Sequence, residues 1–142
     1  MGLLTDIYVS RDDEEAIGYD SKPSAFADRV QSGRLTSGEF ATLWALLRNV
    51  EWDVSMVDEF LFLPLPDDHD TYISRVPTAM TEALARLTPE QISVAATKWA
   101  ATEELKLANW TPGDAQSFMD DLVRLAQTAS ATGRNIYLWN CL

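Results

Sequence analysis

Two stretches of alternating side chains stand at opposite ends of this 142-residue chain, and they constrain its fold more than anything between them. From Leu3 to Ser10, Leu3, Thr5, Ile7 and Val9 point one way, and Leu4, Asp6 and Tyr8 point the other. From Asn135 to Cys141, Ile136 and Leu138 alternate with Tyr137 and Trp139. Period-two patterning rich in β-branched and aromatic residues reads as a strand. A lone strand leaves its backbone N–H and C=O groups unpaired, so each needs a neighbour. The economical solution pairs the two ends of the chain, with Tyr72 to Val76 as a further strand at an edge. Val76 precedes Pro77 and is steered away from helical backbone.

Helical punctuation fills the middle. Thr36 and Glu39 are spaced as a capping box, in which each side chain satisfies a free backbone N–H of the first turn. Phe40, Leu43, Trp44 and Leu47 follow at helical spacing. Asp53 is a candidate N-cap for a second segment with Val54, Val57 and Leu61 on one face, ended by Pro64 and Pro66. Pro77 opens a helix carrying Met80, Leu84 and Leu87, and Thr88-Pro89-Glu90-Gln91 starts another whose core face is Ile92, Ala95, Ala96, Trp99 and Leu107. Thr111-Pro112-Gly113-Asp114 starts the last, with Phe118, Leu122, Leu125 and Ala129 on one face, Asp120 paired to Arg124, and Gly133 ending it. Pro23 is expected to open a short helix with Phe26 and Val30 on one face, and Arg11 to Asp20 to form a charged loop. The expected fold class is α+β, predominantly helical, with five or six helices on one face of a small sheet that pairs the N-terminal and C-terminal strands. Residues 1–142 are read as a single globular domain.

Charge is unevenly spread. Twenty-two acids against eleven bases give a formal net charge of −11. Between Arg48 and Arg75 there is no Lys or Arg, but there are seven carboxylates: Glu51, Asp53, Asp58, Glu59, Asp67, Asp68 and Asp70. Trp52, Phe60, Leu61, Phe62, Leu63, Leu65 and Tyr72 are threaded through them. Such a field repels nucleic acid and anionic membranes, and attracts cationic proteins over a Debye length of ~8 Å at physiological salt. Phosphate contacts need clustered Lys and Arg, so nucleic acid is not an expected partner. A single cysteine, Cys141, excludes an internal disulfide and fits a reducing cytosol. Met1 to Asp6 lacks the basic and apolar regions of a signal peptide, and the uncharged run from Phe60 to Pro66 is too short to span a bilayer. A cytoplasmic location and no membrane partner are the expectations.

Motifs for chemistry are sparse. Asp67-Asp68-His69-Asp70 gathers three carboxylates and the only imidazole of the chain, a candidate set of oxygen and nitrogen ligands for a divalent metal. Adjacent residues of an extended loop point in different directions, and no EF-hand spacing or second His supports the set. No nucleophile elbow and no phosphate-cradling glycine loop is present. No catalytic residue and no cofactor is assigned.

The five tryptophans divide by position. Trp44 and Trp99 belong to apolar helix faces, Trp110 fits a hydrophobic staple, and Trp52 is a candidate for a surface or groove, where tryptophans are enriched at binding hot spots. Phe60 to Pro66 is expected to tuck into the core, the alternative being an apolar ridge rimmed by acids.

The expected function is a small acidic binding module that docks a basic partner protein. Glu51, Trp52, Asp53, Asp58, Glu59, Phe62, Asp67, Asp68 and Asp70 would form the docking surface, with Trp52 and Phe62 as anchors. In size, acidity and tryptophan content the chain is similar to toxin-neutralising immunity proteins, a compositional resemblance that assigns no residue. Two alternatives stand beside it. One is a small metal-dependent hydrolase using Asp67 to Asp70. The other is a structural, homo-oligomerising domain that pairs the exposed edge of the Asn135–Cys141 strand across a two-fold axis.

Overall fold

The computed structural model describes residues 3–65 and 70–141. In chain order the elements are β1 (Leu4–Ser10), α1 (Asp13–Ile17), β2 (Arg29–Gly33), α2 (Ser37–Arg48), β3 (Leu61–Leu63), β4 (Thr71–Arg75), α3 (Thr78–Ala85), α4 (Pro89–Ala100), α5 (Glu103–Leu107), α6 (Pro112–Thr132) and β5 (Asn135–Cys141). A single 3-10 turn covers Pro23–Ala25, and a short 3-10 helix covers Val54–Glu59. The fold is α+β and mostly helical, built on a five-stranded antiparallel sheet of order β2-β1-β5-β4-β3.

The two ends of the chain meet as the alternation requires. β1 and β5 pair from Leu4 opposite Cys141 to Ser10 opposite Asn135. That register puts Ile7 beside Leu138 and Val9 beside Ile136 on one face, and Tyr8 beside Tyr137 on the other. A slip of one residue would turn both apolar sets to the wrong side, so the pattern itself fixes the pairing.

The first face carries the main core. Ile7, Val9, Ile136 and Leu138 pack with Phe40, Leu43, Met80, Leu84, Trp99 and Leu122 from the helices. The long helix α6 lies at its centre and touches β1, β2, β5, α3 and α4. Its buried residues recur at helical spacing, and Gly133 ends it in left-handed backbone, φ +66°, where a side chain is strained. Capping boxes open α2, α4 and α6 at Thr36, Thr88 and Thr111. Between β2 and α2, Leu35 turns inward without a regular partner. Thr5 Oγ1 donates to its carbonyl at 2.8 Å and Asn140 Nδ2 at 2.7 Å, so a buried peptide is satisfied from two strands.

A second, smaller core covers the opposite face. Tyr8, Tyr137, Ile73 and Leu63 project from the sheet, and Ala16, Tyr19 and Phe26 close over them from the segment around α1. Tyr8 stacks on Tyr19 with centroids 4.0 Å apart and meets Phe26 edge-on at 5.2 Å.

Several expectations need correction. Arg11 to Asp20 is not all loop, because Asp12 caps α1 by accepting from the Glu15 N–H at 2.8 Å. The helix expected from Pro23 is one 3-10 turn followed by β2, since the outer edge of β1 takes a partner strand. Phe26 and Val30 then serve different cores rather than one helix face. The segment after Asp53 is a 3-10 turn, and Leu61 begins β3. β4 is therefore interior, with β3 at the edge. Leu107 is 80% exposed because Thr102 caps a new helix, α5, and breaks the face begun at Ile92. Arg124 pairs with Asp121 at 2.7 Å rather than with Asp120, which accepts from Gln116. β5 is paired on both sides, so its edge is not open to a second copy.

Candidate docking surface

The stretch from Arg48 to Phe62 hangs on one ionic brace. Asn49 ends α2 in left-handed backbone, φ 56°, a conformation that asparagine tolerates better than most side chains. The chain then turns out to solvent through Val50, Glu51, Trp52 and Asp53, all exposed. Asp53 caps the following 3-10 turn, accepting from the Ser55 N–H at 2.8 Å, and this bond holds its carboxyl below the usual carboxylate range. Met56 and Val57 lie half-buried against the main core and Phe60 is buried in it.

Glu59 ties this turn back to α2. Its two oxygens accept from Arg48 at 3.2 and 2.9 Å, and Trp44 Nε1 donates to Oε1 at 3.2 Å. The Arg48 guanidinium also lies over the Trp44 ring, 4.4 Å from its centroid. The carboxylate is therefore already matched by a cation. Among the nine docking residues expected from sequence, Glu59 positions the segment rather than facing outward alone.

The others sort plainly. Glu51, Trp52, Asp53, Asp58, Phe62 and Asp70 are exposed. Asp67, Asp68 and His69 lie outside the described residues, and with them most of the metal candidate that Asp70 completes. Among the described residues no three His, Cys, Asp or Glu side chains are grouped to hold a metal ion.

Apolar exposure is concentrated on the same stretch. The large apolar side chains exposed among the described residues are Leu4, Val50, Trp52, Val54, Leu61, Phe62, Val94 and Leu107. Five of the eight lie between Val50 and Phe62, with Val54 70% and Phe62 58% exposed. The apolar run after Glu59 thus neither tucks in whole nor stands out whole. Phe60 and Leu63 enter the two cores, while Leu61 and Phe62 stay outside.

Phe62 also borders a groove. It meets Tyr72 edge-on with centroids 5.5 Å apart. Leu3, Thr36, Ser37, Ser74 and Asn140 complete the lining of this cavity of about 190 Å³. The helices do not close this corner of the sheet. Among the described residues no charged side chain lines it, and the Glu39 carboxylate already meets the N-terminus of α2 there, so the groove suits an uncharged side chain.

Sequence reasoning missed one cluster on the opposite face. Tyr137 Oη donates to Asp13 Oδ1 at 2.6 Å, and Arg75 Nη1 donates to both Asp13 oxygens at 3.1 and 3.0 Å. Nearby, Tyr19 Oη donates to Asp6 at 2.7 Å. Burial, and then the bonded carboxylate, pushes the Tyr19 and Tyr137 hydroxyls far above their ordinary range, and burial does the same for Tyr8. Phenols so held stay protonated and act as hydrogen-bond donors, not as bases or nucleophiles. Their separation in sequence, Asp13 and Tyr137 standing 124 positions apart, gave no local signal.

Among the described residues no helix is long and apolar enough to cross a membrane. The chain matches no family model, no curated protein and no solved structure.

Proposed function

We propose that this protein is a small acidic binding module that docks a basic partner protein through the segment from Val50 to Phe62. One observation carries the reading: among the described residues, five of the eight exposed large apolar side chains fall in this segment, interleaved with the exposed carboxylates of Glu51, Asp53 and Asp58. Apolar anchors beside unpaired like charges suit an interface in which aromatic side chains supply affinity and carboxylates supply steering and specificity. Trp52 and Phe62 are the anchors. Glu51, Asp53, Asp58 and Asp70 attract Lys and Arg, and Glu59 with Arg48 holds the segment in place. The likeness in charge and size to immunity proteins agrees with this reading and names no target.

The test is capture from a native lysate of the source cell with the tagged protein, eluted by a salt step and identified by mass spectrometry. A triple charge reversal, Glu51→Lys with Asp53→Lys and Asp58→Lys, serves as control. A basic protein retained by the native chain, released by moderate salt and lost from the control supports the reading. Equal retention on both overturns it.

A further inference from the structure

We infer that the partner enters as an extended basic segment that adds as a sixth strand to the outer edge of β3, with an apolar side chain seated beside Phe62. This rests on the docking reading above and states how that surface is used. β3 closes the sheet, and among the described residues no strand pairs with its second edge. An edge strand with unpaired backbone groups is a template for another strand. The exposure of Leu61 and Phe62 places one apolar side chain on each face at that edge, because successive strand residues point to opposite sides. On the helix side Phe62 and Ser74, partners across β3 and β4, both line the groove, and the next residue of that row, Leu138, is buried in the main core.

Charge selects the occupant. A second copy paired at the same edge would bring two cation-free acidic segments together, on a chain whose net charge is −11. A Lys- and Arg-bearing segment is instead attracted by the exposed carboxylates of Glu51, Asp53 and Asp58, which lead into β3 along the chain. Its side chain beside Phe62 is uncharged, because no charged side chain among the described residues lines the groove to match one. The pairing is short. β3 holds three residues, and Pro64 has no N–H to extend it. Side chains must therefore share the affinity with the backbone.

A fluorescein-labelled peptide alternating lysine and valine probes this on the full-length chain by anisotropy at low salt. Its counterpart carries an N-methyl group on every interior nitrogen, with the same charge and no strand-forming edge. The unmethylated peptide is expected to bind about tenfold or more tightly than its counterpart. It is also expected to slow amide exchange at Leu61–Leu63. Equal binding of both peptides with unchanged exchange overturns strand addition and leaves the acidic docking surface standing. Binding of neither at low salt overturns the docking reading and this inference with it.

Discussion

Glu59 and Arg48 meet through paired hydrogen bonds of 3.2 and 2.9 Å, with Trp44 donating to the same carboxylate. The two stand eleven positions apart in the chain, and the loop they close displays Val50, Glu51, Trp52 and Asp53. The pair is half-exposed, so its Coulombic share is modest. Its effect is geometric, since it pins the 3-10 turn to the end of α2.

Breaking this brace has a defined signature. Glu59→Gln is expected to cost about 1 kcal/mol in urea denaturation, in the range of partly exposed ion pairs. Arg48→Ala in the Glu59→Gln background should cost less than Arg48→Ala alone. Full additivity of the two substitutions would show that the pair does not couple.

Asp13 anchors the second core. Its carboxylate accepts from Tyr137 and from Arg75. Tyr137→Phe removes one charge-assisted hydrogen bond and is expected to destabilise by about 1.5–3 kcal/mol. Asp13→Asn should cost a similar amount, measured by the midpoint of chemical unfolding. A change below about 0.5 kcal/mol for both would place the cluster outside the cooperative core.

Alkaline pH should unfold the protein through its tyrosines. Tyr8, Tyr19 and Tyr137 have hydroxyls raised above the ordinary value of 10 in the folded state. A raised pKa means that the folded state holds the proton more tightly. The contribution is therefore complete below the unfolded value near 10 and is lost as pH rises toward the folded values. Tyrosinate absorbance should appear late, in step with loss of circular dichroism. Ionisation of all tyrosines near pH 10 with the fold intact would contradict the burial of these hydroxyls.

Gly133 gives a backbone test free of packing. A Cβ there meets nothing within 4 Å, yet φ is +66°. Gly133→Ala is expected to lower stability by about 1 kcal/mol from left-handed strain alone. A neutral or stabilising result in thermal unfolding would show that α6 ends differently in solution.

The parts of the fold written locally were legible. Alternation in Leu3 to Ser10 and Asn135 to Cys141 specified two strands, and the need to satisfy their backbones specified their pairing. The capping boxes at Thr36, Thr88 and Thr111 marked helix starts. What escaped was decided by distant partners. Phe26 and Val30 have helical spacing, but β1 offers Val30 a place beside Ile7. Leu61 continued a helical period, and the β3–β4 pairing took it into a strand. Of the site, the acidic gap was readable as charge and Trp52 as a candidate for the surface. Because the run from Phe60 to Pro66 was expected to tuck into the core, the exposure of Leu61 and Phe62 was not readable. The engagement of Glu59 was not, since Arg48 lies eleven residues back and the bond exists only once the turn folds against α2.

The anchors should separate binding from folding. Trp52→Ala and Phe62→Ala remove exposed side chains and are expected to change stability by less than about 1 kcal/mol. Each should weaken binding of a captured partner by about tenfold or more, as interface aromatics do. Titration calorimetry beside thermal unfolding distinguishes the two effects. Loss of fold in either variant would mean that these side chains are structural.

The most direct measurement is the association rate of the captured partner across a salt series, with the native chain and with the Glu51→Lys, Asp53→Lys, Asp58→Lys triple variant. The expected result is a native on-rate that falls steeply with salt, and a slow, nearly salt-independent on-rate for the variant. The same on-rate and the same salt slope for both would contradict an acidic docking surface in the Val50–Phe62 segment.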